Sequence, residues 1–319
     1  MNTKKSISLI LTAALMLGVL AMSGCASSSG KDSYTVGICQ LVQHEALDAA
    51  TKGFRDELTK ELGDKVTFLE QNAQGDSNTC STIVNDFVTK KVDLILANAT
   101  PALQAAADAT QDIPVLGTSI TEYSVALGLS DFNGTVGGNI SGTSDLAPLD
   151  QQADMLTELF PEAKTVGLLF CSAEPNSRYQ VDVVTKNLEA TGLTCTEFPF
   201  SDSNDVASVA AACAASSDVI YIPTDNTAAS CVETINGSIG NVPVIAGEEG
   251  ICRACGVATL SISYYDLGVK TGELAAAILK GEAKASEMAI AYAPAVKKYN
   301  ADKCQELGIA PPAGYEAIG

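Results

Sequence analysis

One histidine, three glutamates and a single Cys-x-x-Cys are the residues of this chain whose types could carry chemistry. His44 is the only histidine, so a Ser-His-Asp arrangement has no other base to use, and no serine is marked as its nucleophile. Glu122, Glu174 and Glu248 could form an acid–base pair if the fold brings two of them together. No Gly-x-Ser-x-Gly elbow, no Gly-x-x-x-x-Gly-Lys-Ser/Thr loop and no His-Glu-x-x-His occurs. "GTVGGNISG" (134–142) has the glycines of a phosphate loop but lacks the lysine and the strand–helix context. Cys252 and Cys255 have no second pair at zinc spacing and no histidine nearby, so thiols or a local disulfide fit better than a metal. No cofactor or metal is expected. What remains is recognition rather than turnover, with an enzyme built on the three glutamates as the alternative.

The elements that must position these residues alternate. Strand-like runs at Tyr34–Cys39, Val66–Gln71, Leu94–Ala99 and Val115–Thr118 are separated by helical patterns near 45–62, 77–90 and 101–110. Further runs follow at Val166–Cys171, Thr194–Phe198, Val219–Ile222 and Val244–Ala246, again with helices between, among them Val206–Ala215. Such alternation predicts parallel sheets flanked by helices. The halves also resemble each other: "TVGICQ" at 35 and "TVGLLF" at 165, "VDLILANATPA" at 92 and "SDVIYIPTDNT" at 217, "IPVLGTS" at 113 and "VPVIAGEE" at 242. "QGDSN" and "SDSND" each follow a second strand and supply helix caps. The chain therefore reads as a duplicated α/β lobe with a three-stranded hinge, crossing near 139–145, 259–263 and 283–287. The helix Asp266–Lys280 lies between the last two crossings. The expected division is 34–143 plus 261–283 for the first lobe and 144–260 plus 284–319 for the second.

In open parallel sheets, ligands bind beyond the carboxyl ends of the strands. The loops there contain Gln43, His44, Thr100, Thr118, Ser119 and Glu122 from the first half, and Glu174, Asn176, Ser177, Thr224, Asp225, Asn226 and Glu248 from the second. Hydroxyls, amides and carboxylates in this mixture suit a zwitterion, with Thr100 and Ser177 for its carboxylate and Asp225 or Glu248 for its ammonium. Thr100, Ser177 and Asp225 would equally serve as helix caps. His44 sits 130 residues before Glu174, the offset that aligns the two "TVG" strands, so both occupy first-strand loops.

The start of the chain reads as an address. Lys4 and Lys5, the apolar Ile7–Val19 and the small residues before Cys25 predict a signal peptide over 1–24, with Cys25 as a lipidated first residue and 25–33 as a polar tether. Residues 1–24 carry two lysines and no acid, so 19 basic residues become 17 against 38 acidic ones, a net charge of −21. With only three arginines, such a surface excludes nucleic acid and repels anionic lipid headgroups. The expectation is a monomer outside the cytoplasmic membrane, touching it through the lipid alone. Of nine further cysteines, Cys39, Cys171, Cys195 and Cys213 fall in apolar runs and read as buried free thiols.

"VGICQLVQHEALDAATKGFRDEL", "QNAQGDSNT", "VDLILANATPALQAA", "EPNSRYQV", "YIPTDNTAAS" and "YYDLGVKTGELAAAILKGE" together resemble the ABC-transporter substrate-binding lipoproteins that take up tryptophan and related aromatic amino acids. The resemblance covers residues 34–290. It implies a type I periplasmic-binding-protein fold, an ABC permease with its ATPase as partners, and closure on an aromatic L-amino acid without chemistry. Its motifs place His44, Thr100, Glu174, Asn176, Ser177, Thr224, Asp225 and Asn226 at the ligand. Gln43 stands where members carry an acidic residue, which removes a charge from the cleft. With no tryptophan in the chain, stacking falls to Tyr123, Phe170, Tyr264 or Tyr265, the last of these more suited to packing. A binder of another small solute and a sensory receptor of the same fold are the alternatives.

Overall fold

The computed structural model describes residues 31–318. The expected signal peptide (1–24), the lipidation site Cys25 and most of the tether (25–33) lie outside the described residues. The first lobe is built from β1 (Tyr34–Gln40), α1 (Glu45–Leu62), β2 (Val66–Asn72), α2 (Ser77–Lys90), β3 (Leu94–Asn98), α3 (Thr100–Ala109), β4 (Val115–Ile120), α4 (Tyr123–Leu127) and β5 (Ile140–Ser144). The second follows with α5 (Leu149–Leu159), β6 (Thr165–Cys171), α6 (Pro175–Ala190), β7 (Thr194–Phe200), α7 (Val206–Ser216), β8 (Val219–Ile222), α8 (Asn226–Ser230), α9 (Val232–Ile239), β9 (Val244–Ala246), α10 (Glu249–Cys255) and β10 (Ala258–Ser261). The chain returns to the first lobe as α11 (Tyr264–Leu279) and β11 (Ala291–Tyr292). It ends in the second with β12 (Val296–Tyr299), α12 (Ala301–Leu307) and β13 (Glu316–Ala317).

Each expected strand and helix is present, with ends shifted by at most two residues. The reason is local. β3, apolar up to its last residue Asn98, and β8 are buried along their whole length, as strands covered on both faces must be. Helix starts are set by caps: Asp76 accepts from Thr79 N at 2.7 Å, and Pro101 occupies the first turn of α3. The first sheet runs β11-β5-β4-β3-β1-β2, all parallel, and the second β13-β12-β10-β9-β8-β6-β7, with β10 and β12 antiparallel. Apolar clusters cover both faces of each sheet.

The third crossing falls later than the sequence suggests. β11 pairs with β5 in the first sheet and Ile290 packs in the first core, so 285–292 sits with the first lobe and not with 284–319 of the second. The chain crosses at 293–295 instead. A two-residue strand leaves no periodicity to read, which is why the sequence hides it. β5 was hidden for another reason: Gly142 has φ 141°, and a Cβ there would lie 2.1 Å from the Gly117 carbonyl oxygen. Its glycine permits a close approach that a typical strand residue would block.

The late helix α11 seals the first lobe by lying directly on α1. A Cβ on Gly268 would sit 2.0 Å from Ala50 O, and one on Gly53 would sit 2.1 Å from Tyr265 O. Backbone meets backbone here, so neither position has a flexible side chain that could yield. Gly268→Ala should lower the unfolding free energy by about 1–3 kcal/mol through overpacking. Gly237→Ala, in helix α9 with open space around its Cβ position, should instead stabilise by about 0.5–1 kcal/mol. Urea unfolding of the two variants beside the wild type checks both signs.

Candidate functional site

Loops at the carboxyl ends of both sheets meet across a cleft. Leu41, Val42, Asp76 and Pro101 of the first lobe line a cavity of about 270 Å³ together with Glu174 and Thr227 of the second. A larger groove of about 840 Å³ runs along the outer face of α1 and β2, entirely within the first lobe. Its cations are already paired, Lys52 with Asp56, Arg55 with Glu70 and Lys60 with Glu57. That groove is open surface, and the cleft is the site with two walls.

Glu174 organises the second wall. Its Oε2 accepts from Asn176 Nδ2 at 3.1 Å, Asn226 N at 3.1 Å and Asn226 Nδ2 at 2.7 Å. Its Oε1 accepts from Thr227 N and Thr227 Oγ1, both at 2.7 Å. A carboxylate has about four lone-pair sites, so five donors saturate it. The negative charge at the start of α8 is held by the helix's own N–H groups and by side chains, with nothing left over for a ligand cation. Asp225 is engaged in the same way. It takes Ala228 N at 2.7 Å and Cys171 N at 2.6 Å, while burial and then the Glu174 charge push its carboxyl well above the usual range. Glu248 caps α10 through Gly250 N at 2.7 Å and Ile251 N, and burial raises its carboxyl to about 7. The capping role anticipated for Asp225 thus holds, whereas Asp225 and Glu248 as ammonium partners would have to share oxygens already in use.

His44 is the bridge between the lobes. It precedes α1 in extended backbone, and its Nε2 lies 3.3 Å from Asn226 Oδ1. Asn226 Nδ2 is committed to Glu174, so its oxygen faces the imidazole and His44 carries its proton on Nε2. Burial lowers the pKa of His44, against the bond to Asn226 and the Glu174 charge, which leaves the ring neutral at pH 7. Beside it, Glu45 of the first lobe pairs with Arg253 of the second at 3.2 Å. Gln43 is exposed and borders an interlobe recess with His44 and Glu248.

The other expected residues divide. Asn176, Ser177, Thr224, Asp225 and Asn226 are joined to Glu174 in one hydrogen-bonded cluster, with Thr224 Oγ1 also donating to Gly247 O at 3.1 Å. Thr100 is buried at the start of α3, after Ala99 at φ 91°. Thr118 lies inside the first lobe, in a threonine chain with Thr143 at 3.3 Å and Thr271 beyond it at 2.8 Å. Ser119 is buried at φ 55°, a region that non-glycine residues seldom enter. Glu122 caps α4 by accepting from Ser124 N at 3.0 Å. Of the four aromatics, Tyr123 and Tyr264 are buried and bonded to Thr143 O and Asp145, Phe170 lies under Arg178, and Tyr265 faces outward onto Asp56. Two others escaped the sequence reading. Tyr179 on α6, whose phenol is pushed up by burial and by Glu122, stands near Tyr292 on β11. Tyr292 could not be placed while the third crossing was misassigned.

Behind the cleft, Tyr264 donates to Asp145 Oδ2 at 2.9 Å, tying two of the three crossings. Burial raises the Asp145 carboxyl to about 6, against its hydrogen bonds from Tyr264 and Thr121. The folded state thus holds this proton more tightly than the unfolded chain does. Asp145 contributes stability below about pH 4 that is lost as pH rises towards 6, a drop of up to about 3 kcal/mol. Glu248 and Asp225 act in the same direction over this range and beyond it, and His44 acts oppositely. Asp145→Asn should therefore flatten the fall between pH 4 and 6 specifically. Urea unfolding of both proteins across that range measures the difference.

The model of a family described as ABC transporter substrate binding protein matches residues 35–312 of this chain. A tyrosine-binding protein of Clostridioides difficile (strain R20291) is 36% identical over 299 residues, covering 88% of this chain and 86% of that protein. Among solved structures, an ABC domain from Streptococcus pneumonia in complex with L-Trp matches with a TM-score of 0.85 at 33% identity, over 90% of this chain and 100% of its own. A ligand-free, open substrate binding protein with adhesive properties from Clostridium difficile matches at 36% identity over 89% and 99%, with a TM-score of 0.68.

Proposed function

Since the chain belongs to the ABC transporter substrate-binding protein family, we propose that its cleft binds an aromatic L-amino acid, tyrosine, phenylalanine or tryptophan, for delivery to an ABC permease and its ATPase. Its twin-lobed α/β architecture is the type I periplasmic-binding-protein fold. The family is one of substrate-binding proteins and not a class of enzymes, and such proteins work outside the cytoplasm. Lipidation at Cys25 would hold this one at the membrane. Among the described residues no helix is long and apolar enough to cross a bilayer.

The observation that carries the reading is the cavity of about 270 Å³ walled by both lobes beside the His44–Asn226 bridge. Its volume sits just under the usual range of about 300–1,000 Å³ for small-molecule sites, which suits one compact solute. The tyrosine-binding relative and the L-Trp complex supply the ligand class. Closure by hinge bending would let both walls grip the same molecule while His44 meets Asn226 and Glu45 meets Arg253.

Thermal shift with a panel of amino acids, sugars, nucleosides and peptides tests the assignment. An aromatic amino acid at a hundredfold excess over its Kd should stabilise by about 2.7 kcal/mol. Stabilisation by a nucleoside or sugar and by no aromatic amino acid would sink it. His44→Ala should weaken the same ligand about tenfold, the worth of one hydrogen bond, while leaving the unliganded Tm within a few degrees. An unchanged Kd would reduce His44 to a helix-start residue.

A further inference from the structure

Six polar side-chain atoms among the described residues are buried without a hydrogen-bond partner in the protein. Two of them, Ser119 Oγ near the end of β4 and Asn176 Oδ1 in the first turn of α6, lie at the carboxyl ends of the two sheets, one in each lobe. Ser119 is 6% exposed and Asn176 is 4% exposed. Buried polar atoms are nearly always paired, so two such exceptions on opposite walls of one cleft ask for a common partner.

The chemistry of each atom is determined by its surroundings. Asn176 Nδ2 donates towards Glu174 Oε2 at 3.1 Å, Thr224 O at 3.3 Å and Ser177 Oγ at 3.4 Å. All three can accept, and two of them cannot donate, so the amide has one permitted orientation. Its oxygen must point away from the cluster, as an acceptor. Ser119 Oγ, by contrast, can donate. Its backbone is held at φ 55°, and strain of this kind gathers at ligand clamps. The two elements that hold them are linked across the lobes: α4, which follows β4, packs against α6, whose first turn contains Asn176.

We propose that Asn176 Oδ1 accepts from the α-ammonium of the ligand and Ser119 Oγ donates to its α-carboxylate. The inference rests on the amino-acid reading above and deepens it, replacing Asp225, Glu248, Thr100 and Ser177 in those two roles. Glu174 is then a positioning residue, because it holds Asn176 in its one useful orientation. Each lobe recognises one pole of the zwitterion through a neutral group, so a ligand lacking either pole closes the lobes poorly.

Calorimetric titration of the mature chain with L-tyrosine, tyramine and 3-(4-hydroxyphenyl)propionate separates the poles. Asn176→Ala should bind tyrosine about 10- to 100-fold more weakly, the worth of a hydrogen bond to a charged group. It should bind the amine-free propionate within twofold of the wild type. Ser119→Ala should show the converse, weakened for tyrosine and unchanged for tyramine. The variants lie in different lobes, so misfolding of one leaves the other arm intact. Equal losses for an amino acid and its truncated analogue, or no loss, would overturn the clamp. A wild type that binds a non-aromatic amino acid with the same split, read against that ligand's own amine-free and carboxylate-free analogues, would overturn the aromatic assignment and keep the clamp. One that binds no amino acid overturns both.

Discussion

Everything on the second wall of the cleft hangs from the carboxylate of Glu174. Its five donors come from three residues, Asn176, Asn226 and Thr227, two of which lie some fifty positions away in the chain. Because those bonds saturate it, the first turn of α6 and the start of α8 are held as one rigid surface. A buried carboxylate without such donors would cost several kcal/mol. With them it fixes the amide of Asn226 facing His44 and the amide of Asn176 facing the cleft. Orientation is thus decided inside one lobe before the other lobe arrives.

The two walls are made differently. The second is a dense polar cluster prepared in advance. The first relies on backbone: Ala99 at φ 91° and Ser119 at φ 55° turn the chain at the ends of β3 and β4. Among the described residues, the polar contacts between the walls include one neutral hydrogen bond, His44 with Asn226, and one partly exposed ion pair, Glu45 with Arg253. Exposed pairs of this kind add little on their own. Closure therefore depends on what lies between the walls, as suits a receptor that must also release its ligand.

Much of this architecture was legible beforehand, and the exceptions have physical causes. Strands β1, β3, β6 and β8 are buried on both faces and announce themselves as apolar runs, while Asp76 marks a helix start by its side chain. β5 was missed because Gly142 belongs to a packing contact that no periodicity reveals. The 130-residue offset from His44 put Glu174 in the first-strand loop of the second half, where it lies between β6 and α6, yet its partners there could not be read. Whether a carboxylate faces a ligand or faces Asn226 and Thr227 depends on a tertiary contact 52 and 53 residues away. Likewise Asp225 and Glu248 carry the charge a ligand cation wants, and only the backbone N–H groups seated on them show that it is already engaged.

The return of the chain to the first lobe has a consequence for how such a protein leaves the cell. That lobe is incomplete until α11 lies on α1 and β11 joins β5, and both come from the last fifth of the sequence. A polypeptide threading outward from its amino end would have β1 to β4 across long before their closing helix followed. The lobe would become compact only when nearly all of the chain is available to it. The glycines at 53 and 268 would then act as a timer as well as a seam.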